Sequence, residues 1–384
     1  MPGLFSVERV SDEHGMADLQ AAWATLLERI PDHNLFHTWA WLATWHRHHP
    51  HAGDLYLLAA RDSAGELAGL LPLRRVAQRV GPLRVKTLVP LYFRPAAHLT
   101  VIAPADDRPA VLDAFLDYLA AHSGDWDAIH LDGFDATDEM VAQIAAGPGK
   151  MLRRPPIEIG LITLPDKWKT YEMDHLSGNR RRNVRRLERR IVRDHPDVMY
   201  RQATTPDEIE SMLAELFEYN RRRWNEAGVK SSFDDDRFVA FNEEIAPLAL
   251  ERGWLRLYRL EIDGEMVAVN YCLAYNGLLC GYQTTFNPEW GEYRPGTLIF
   301  VHVVKEAIRE GLEAVDMLRA GGYDWKNSWQ TDETFEHELL VGRGLRGRLW
   351  LLAARLTDLV QAAARRLLPD SVRRQINALL SRGG

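Results

Sequence analysis

Two dipeptides constrain this chain more than any other feature: Asp263-Gly264 and Asn276-Gly277. They separate three runs of apolar or alternating residues, Trp254 to Ile262, Glu265 to Tyr275 and Leu278 to Thr285. A two-residue type I′ turn needs positive φ at both central residues, which Asn, Asp and Gly tolerate best. The pattern predicts a three-stranded antiparallel meander. Tyr293-Arg294-Pro295-Gly296-Thr297 follows and opens the segment Leu298 to Ile308. There Phe300, Val303, Val304, Ala307 and Ile308 fall on one stripe of a packed helix. Gly311 suits a helix C-terminus. Leu312 to Leu318 then reads as a strand parallel to its predecessor, because a helix lies between them. A helix entered through Pro-Gly turns backbone N–H groups toward an anion. The expectation is an anion site between two strands, able to hold a pyrophosphate.

The chain has 384 residues, 46% of them hydrophobic and 26% charged, which allows two globular domains. Its net charge of −7 argues against general nucleic-acid binding, DNA included. No apolar run approaches the ~18 residues of a spanning helix, and Met1 to Arg9 lacks the basic-then-apolar pattern of a signal peptide. A cytoplasmic location is expected. Cys272 and Cys280 both lie in the meander. A two-residue turn at Asn276-Gly277 sets Cys280 opposite Leu273 and turns Cys272 to the other face. Neither a disulfide nor a metal site built on this pair is expected, and the Phe233-Asp-Asp-Asp236 cluster reads as an acidic first turn of a helix.

The N-terminal half shows strands at 4–10, 55–60, 67–74, 86–91, 98–103, 127–131 and 157–164, with helices at 16–30, 39–45 and 108–122. Thr38 is the N-cap of the Trp-rich helix. The fold class is α/β with a mixed sheet, in two similar halves. Gly147-Pro-Gly149 and Arg154-Pro-Pro156 mark the boundary region. The expected division is 1–165, 166–342 and a tail, 343–384.

Residues 177–193 carry eight arginines against one glutamate. On a helix, Val184, Leu187 and Ile191 form its apolar stripe, and the arginines form either a solvated surface or a cationic wall for phosphates. Arg180 belongs to this segment. Thr205-Pro206-Asp207-Glu208 starts a further helix with a capping box. That helix ends near Trp224, which either packs or lines an acceptor site. The tail holds eight arginines and two aspartates between Gly344 and Gly384. Leu349, Leu352, Leu356, Leu359, Val360, Ala363 and Leu367 form an amphipathic stripe, broken by Pro369-Asp370 before Val372 to Leu380. The stripe either docks on the protein itself or gives 345–380 a peripheral contact with an anionic membrane face.

The C-terminal half resembles the acetyltransferase domain of the GNAT superfamily, in the branch of CelD-like (BcsL-like) cellulose-biosynthesis proteins, and is related to Fem-type double-GNAT transferases. The residues that carry the resemblance are Arg223-Trp224 with Gly228, Leu260 to Ala268, Tyr282 with Phe286-Asn-Pro288, Pro295-Gly296, Gly311, Asp316, and Tyr323-Asp-Trp-Lys326-Asn-Ser-Trp329. Of the usual Gln/Arg-x-x-Gly-x-Gly/Ala loop, Arg294-Pro-Gly-Thr is present. The resemblance implies tandem GNAT-like halves and an N-acyltransferase that uses acyl-CoA (acetyl-CoA) or an acyl carrier as cosubstrate, with no covalently bound cofactor. The acceptor is expected to be a small amine or an amino sugar of polysaccharide or envelope biosynthesis. Arg294, Gly296 and Thr297 would meet the donor phosphates. Asp316 would be the general base or orient the acceptor, and Tyr282 would protonate the leaving sulfur. Lys326, Tyr323, Trp224 and Arg180 would contact substrate. Two alternatives stand beside this: a Fem-type transfer from aminoacyl-tRNA, and a non-catalytic adaptor of polysaccharide assembly.

Overall fold

The computed structural model describes residues 4–49, 53–92, 98–226, 228–319 and 328–367. Thirteen strands and eleven α-helices follow one another among these residues. They are β1 (Ser6–Val10), α1 (Glu13–Asp18), α2 (Gln20–Glu28), α3 (Trp39–His48), β2 (Asp54–Arg61), β3 (Leu67–Val80), β4 (Leu83–Pro90), α4 (Arg108–Ala121), β5 (Ala128–Phe134), α5 (Asp138–Ala146) and β6 (Lys150–Arg153). Then come β7 (Ile157–Thr163), α6 (Trp168–Asp174), α7 (Gly178–Asp194), β8 (Met199–Gln202), α8 (Pro206–Glu226), α9 (Asp236–Glu251), β9 (Leu255–Ile262), β10 (Glu265–Tyr275), β11 (Leu278–Phe286), α10 (Pro295–Arg309), β12 (Ala314–Arg319), β13 (Asp332–Gly342) and α11 (Gly344–Leu367).

The chain divides into two compact units. One comprises the described residues up to Ile157 and those from Glu336 onward; the other runs from Glu158 to Phe335. This differs from the division at 165 and 342. The last strand returns to the first unit because His337 to Gly342 pair with β5, and β6 adds to the same strand. α11 follows that strand into the first unit, where Trp350 and Leu351 join Val85, Ala128 and Leu340 in a small core.

The two units repeat one sheet order. In the first it is β1-β2-β3-β4-β5-β13, and in the second β8-β9-β10-β11-β12-β7. Each has an antiparallel run of four strands. Each then has one parallel neighbour, β5 beside β4 and β12 beside β11, reached through a helix. Each closes on a strand antiparallel to that neighbour. A parallel pair needs such a crossover, and α4 and α10 supply it. The expected α/β mixed architecture is the one observed.

Local chemistry explains most of the second unit. Asp263 (φ 52°), Gly264 (83°), Asn276 (47°) and Gly277 (78°) all have the positive φ of type I′ turns. Leu273 faces Cys280, and both cysteines are buried thiols. Gly311 (φ 73°) ends α10, with its amide donating to the Ile308 carbonyl at 3.1 Å and the Leu312 amide to the Ala307 carbonyl at 3.0 Å. Ser177 caps α7, and Val184, Leu187 and Ile191 turn inward with the α10 core. Thr205 Oγ1 accepts the Glu208 amide at 3.3 Å, while the Glu208 carboxylate accepts the Thr205 amide at 3.2 Å.

Three expectations need correction. Residues 98–103 form no regular strand; Leu99 bridges Phe134 and Ile102 bridges Leu70 as isolated contacts. Gly147-Pro148-Gly149 is no domain boundary but the tight link from α5 to β6. A Cβ on Gly149 would sit 2.5 Å from Val341 Cγ1, so the link packs against β13. Strand 157–164 does not close the first unit, since β7 pairs with β12. Lys326, Tyr323 and the segment 372–380 lie outside the described residues.

His37 in the first unit is a buried cap. It accepts the Asn34 amide at Nδ1 (3.3 Å), and its Nε2 meets the His98 carbonyl at 2.7 Å. Burial lowers its pKa to about 4, against the opposing effect of that carbonyl. An unfolded histidine takes its proton near 6.5. Protons therefore favour the unfolded chain between these values, and stability falls as pH drops from 6.5 toward 4. The expected loss attributable to this side chain is about 3 kcal/mol by linkage. His37→Gln keeps a capping acceptor and removes the titration. Urea unfolding of both proteins at pH 7 and pH 4.5 should show a smaller acid loss in the variant; parallel losses would exclude His37 as a source.

Candidate functional site

β11 and β12 pair for three residues only: Leu278 with Ala314, Leu279 with Val315 and Cys280 with Asp316. β11 continues to Phe286 and β12 to Arg319, but their ladder has ended. Two local features accompany the parting. On β11, Gly281 faces Cys272 and Gln283 faces Tyr271, so Tyr282 is an extra residue in the pairing, a bulge that bends the strand. On β12, Leu318 adopts φ 56°, an unusual conformation for leucine, and its amide donates to Asp316 Oδ1 at 2.7 Å. Asp316 is 3% exposed. Its carboxylate braces the bend that takes β12 away from β11.

A cavity of about 170 Å³ occupies the opening. Gly281, Tyr282, Gln283 and Thr284 of β11 line it, with Val315 and Met317 of β12, Phe300 and Val303 of α10, and Arg223 and Trp224 of α8. Trp224 is therefore a wall of the cavity. The Arg223 guanidinium lies over the Trp224 ring at 5.6 Å and over the Phe286 ring at 5.8 Å. Asp316 is not among the lining residues.

The N-terminus of α10 stands beside the mouth. Arg294 enters it in the left-handed region (φ 51°, ψ 54°), Pro295 takes the first helical position, and no side chain caps the helix. The Thr297 amide donates to the Arg294 carbonyl at 2.9 Å and the Leu298 amide to the same oxygen at 3.2 Å. Pro295 has no N–H. The expected row of open amides thus reduces to Gly296, whose N–H has no acceptor among the described residues. A Cβ on Gly296 would lie 3.2 Å from Phe286 Cδ1, so glycine lets the helix start close against β11.

Positive charge gathers here. The Arg180 guanidinium lies over the Trp329 ring at 5.0 Å, and Trp329 packs edge-on to Phe300 of α10 at 5.2 Å. Burial lowers the Arg180 pKa, and the Arg294 charge lowers it further. Two guanidinium groups that repel one another, neither with a carboxylate partner among the described residues, flank a helix N-terminus whose dipole is also positive. Such an arrangement favours an anion with several oxygens.

Tyr282 is 5% exposed and packs edge-on to Tyr271 at 5.2 Å. Burial and the neighbouring Tyr271 push its phenol well above the ordinary value, only partly offset by a hydrogen bond with the Asn242 side chain. This tyrosine gives up a proton reluctantly. Cys272 Sγ–H donates to Asn270 Oδ1 at 2.8 Å, and burial pushes the thiol up to about 12, so it is no nucleophile near neutrality.

Sequence reasoning missed the bulge at Tyr282, the bend at Leu318 and the role of Arg223, which only strand register and ring stacking disclose. Of the two readings of residues 177–193, a solvated surface or a cationic wall, neither holds for all of them, because several of these arginines are engaged within the protein. Arg185 pairs with Glu172 through both nitrogens at 2.7 and 2.8 Å, Arg181 donates to the carbonyls of Glu172, Met173 and Leu176, and Arg190 meets Glu292 at 2.6 Å.

Residues 178–327 match the family described as "Acetyltransferase (GNAT) domain". No curated protein matches the sequence. Among solved structures, FemX is similar over 90% of this chain and 99% of its own, with 12% identity and a TM-score of 0.60. The C-terminal domain of a putative lysylphosphatidylglycerol synthetase from Agrobacterium fabrum is similar over 89% and 97%, with 13% identity and a TM-score of 0.53. A conserved protein of unknown function from Bacteroides thetaiotaomicron is similar over 88% and 100%, with 13% identity and a TM-score of 0.55. At these identities the likeness is one of fold.

The Asp316 brace makes a prediction about stability. Asp316→Ala leaves the buried Leu318 amide without its acceptor, which should cost ~1–3 kcal/mol. Asp316→Asn keeps an oxygen in place and should lose clearly less. Equal losses in urea unfolding would mean that the oxygen–amide bond does not hold the bend.

Proposed function

We propose that this chain, which carries a GNAT acetyltransferase domain at residues 178–327, is an N-acyltransferase that moves a short acyl group from acyl-CoA, or an acyl carrier, to an amine. The observation that carries the reading is the parting of β11 and β12 beside the α10 N-terminus. A pantetheine-like arm can lie in that gap, with its phosphates toward Gly296, Arg294 and Arg180 and its thioester in the cavity. Thr297 contributes its hydroxyl rather than its amide, which is already bonded.

Acyl transfer requires a neutral amine, a polarised carbonyl and a stabilised leaving thiolate. Beyond Cys280 the side of β11 turned away from β10 has no β12 partner, and we assign the carbonyl oxygen to a backbone N–H directed to that side. The amine attacks the thioester carbon and the oxygen takes negative charge; the carbonyl then re-forms, the C–S bond breaks, and the proton lost by the amine passes through solvent water to the departing thiolate. Asp316 acts here as a positioning residue, since its carboxylate is turned to the Leu318 amide. Tyr282 shapes the cavity, because its raised pKa makes it a weak acid for the departing sulfur. The acceptor of this reading is a small primary amine, with amino sugars as the class to screen first. Lys326 and Tyr323 remain proposed acceptor contacts.

The cavity limits the acyl group. At about 170 Å³ it has room for a short acyl group, and acetyl is the donor group we assign to it.

A second reading, transfer of an aminoacyl group from aminoacyl-tRNA, draws on a different observation. Arg182, Arg186, Arg189 and Arg193 are exposed in one row on α7, a basic surface that a phosphate backbone could follow. One experiment separates the two. Acetyl-CoA at a hundredfold excess over its Kd should stabilise the native protein by about 2.7 kcal/mol, read as a rise in Tm. Palmitoyl-CoA should give a smaller rise, and Trp224→Ala should narrow the difference. The double variant Arg180→Ala/Arg294→Ala should lose most of the acetyl-CoA effect. No rise with any acyl-CoA, together with tRNA retention at low salt, would overturn the first reading in favour of the second.

A further inference from the structure

α11 has two apolar faces, and the unit it belongs to uses one of them. On the inner face Trp350 and Leu351 are buried. The Trp350 indole N–H donates to Gln78 Oε1 at 2.8 Å, and Asp358 is held by Arg154 at 2.8 Å. These contacts fasten the helix along its length. The apolar stripe read from the sequence is on the opposite side. Leu345 is 75% exposed, Leu352 53%, Leu356 54%, Leu359 66% and Val360 51%. At 100° per residue these five fall within an arc of roughly 100°, the width of a complete apolar face.

Charge decides what can cover that face. Arg348 and Arg355 line one edge of the arc and Arg346 lies on the other, all exposed. The only carboxylate of the helix, Asp358, is already paired with Arg154. A second copy of the same face would bring arginine edges against arginine edges with no acid between them. An anionic surface offers the opposite: apolar depth for the leucines and negative headgroups for the arginines beside them. No helix among the described residues is long and apolar enough to cross a membrane, and α11 is held by its other side in any case. We propose that the outward face of α11 is an interfacial helix that seats this protein on an anionic lipid bilayer. The proposal stands independently of the acyl-transfer reading.

Flotation of the full chain with vesicles tests it. Vesicles of phosphatidylcholine with phosphatidylglycerol should recover several-fold more protein than vesicles of phosphatidylcholine alone, and added salt should reduce the difference. Leu356→Gln/Leu359→Gln should abolish recovery while leaving the thermal melt near the native one, because both side chains are exposed. Arg348→Gln/Arg355→Gln should remove the preference for the anionic vesicles. Recovery unchanged in the leucine variant, or none from either vesicle, would overturn the proposal. So would a concentration-dependent dimer in light scattering that the leucine variant dissolves, since the face would then belong to a second copy.

Discussion

The chemistry proposed for this molecule depends on a hydrogen-bond ladder that stops early. A parallel pair between two buried strands would ordinarily run their common length, since unpaired backbone groups are costly away from water. Here it ends after Cys280 and Asp316. The Tyr282 bulge bends one strand, and the positive φ of Leu318 bends the other. The Asp316 carboxylate offsets the cost of the second bend by accepting the Leu318 amide. A conformation that leucine seldom adopts persists because its surroundings leave it no alternative, and such strain gathers where backbone is needed for binding.

The first unit shows what the same topology looks like without an opening. β4 and β5 also pair briefly, at Thr87 with Ala128 and Leu88 with Ile129. Beyond that point the chain fills the space with itself. Leu99, Val101 and Ile102 are buried, and the bridges from Leu99 to Phe134 and from Ile102 to Leu70 take up backbone groups. At the start of the crossover helix, Arg108 reaches Asp32. One unit has its counterpart of the gap occupied by apolar side chains and its helix start neutralised. In the second unit the described residues leave a cavity at the gap and no side-chain cap on the helix, which is why the proposed function is placed there.

What the sequence made legible divides along a physical line. Features set by neighbours in the chain could be read directly: the turns at Asp263-Gly264 and Asn276-Gly277, the caps at Thr38 and Thr205, the inward stripe of α7 and the parallel crossover after α10. Features set by partners distant in the chain could not. Nothing in Glu336 to Gly342 says that it pairs with β5 about two hundred residues earlier, a separation that His337 and Phe134 span. The bulge at Tyr282 leaves the alternation of side chains looking regular until the register is known. For α11 the apolar stripe was legible but its direction was not, because Trp350 and Leu351 compete for burial with a larger set of leucines and win it.

The arginines make the same point about charge. A run of eight in seventeen residues looks like one electrostatic object, yet the fold sorts it by position. Arg181 satisfies carbonyls around the end of α6, which a helix C-terminus leaves open. Arg185 neutralises the buried Glu172, whose carboxyl it holds below the usual range with help from Lys169. Arg190 lies over Tyr293 and pairs with Glu292, fastening α7 to the segment that leads into α10. Arg180 alone of these turns toward Trp329 and the charge of Arg294. Its lowered pKa reflects partial burial first and the neighbouring cation second. An anion bound between the two guanidinium groups, as proposed, would offset the cost of both. Under the proposed function the positive charge that matters rests on Arg180 and Arg294, which have no carboxylate partner among the described residues, and the overall excess of carboxylates has little bearing on them.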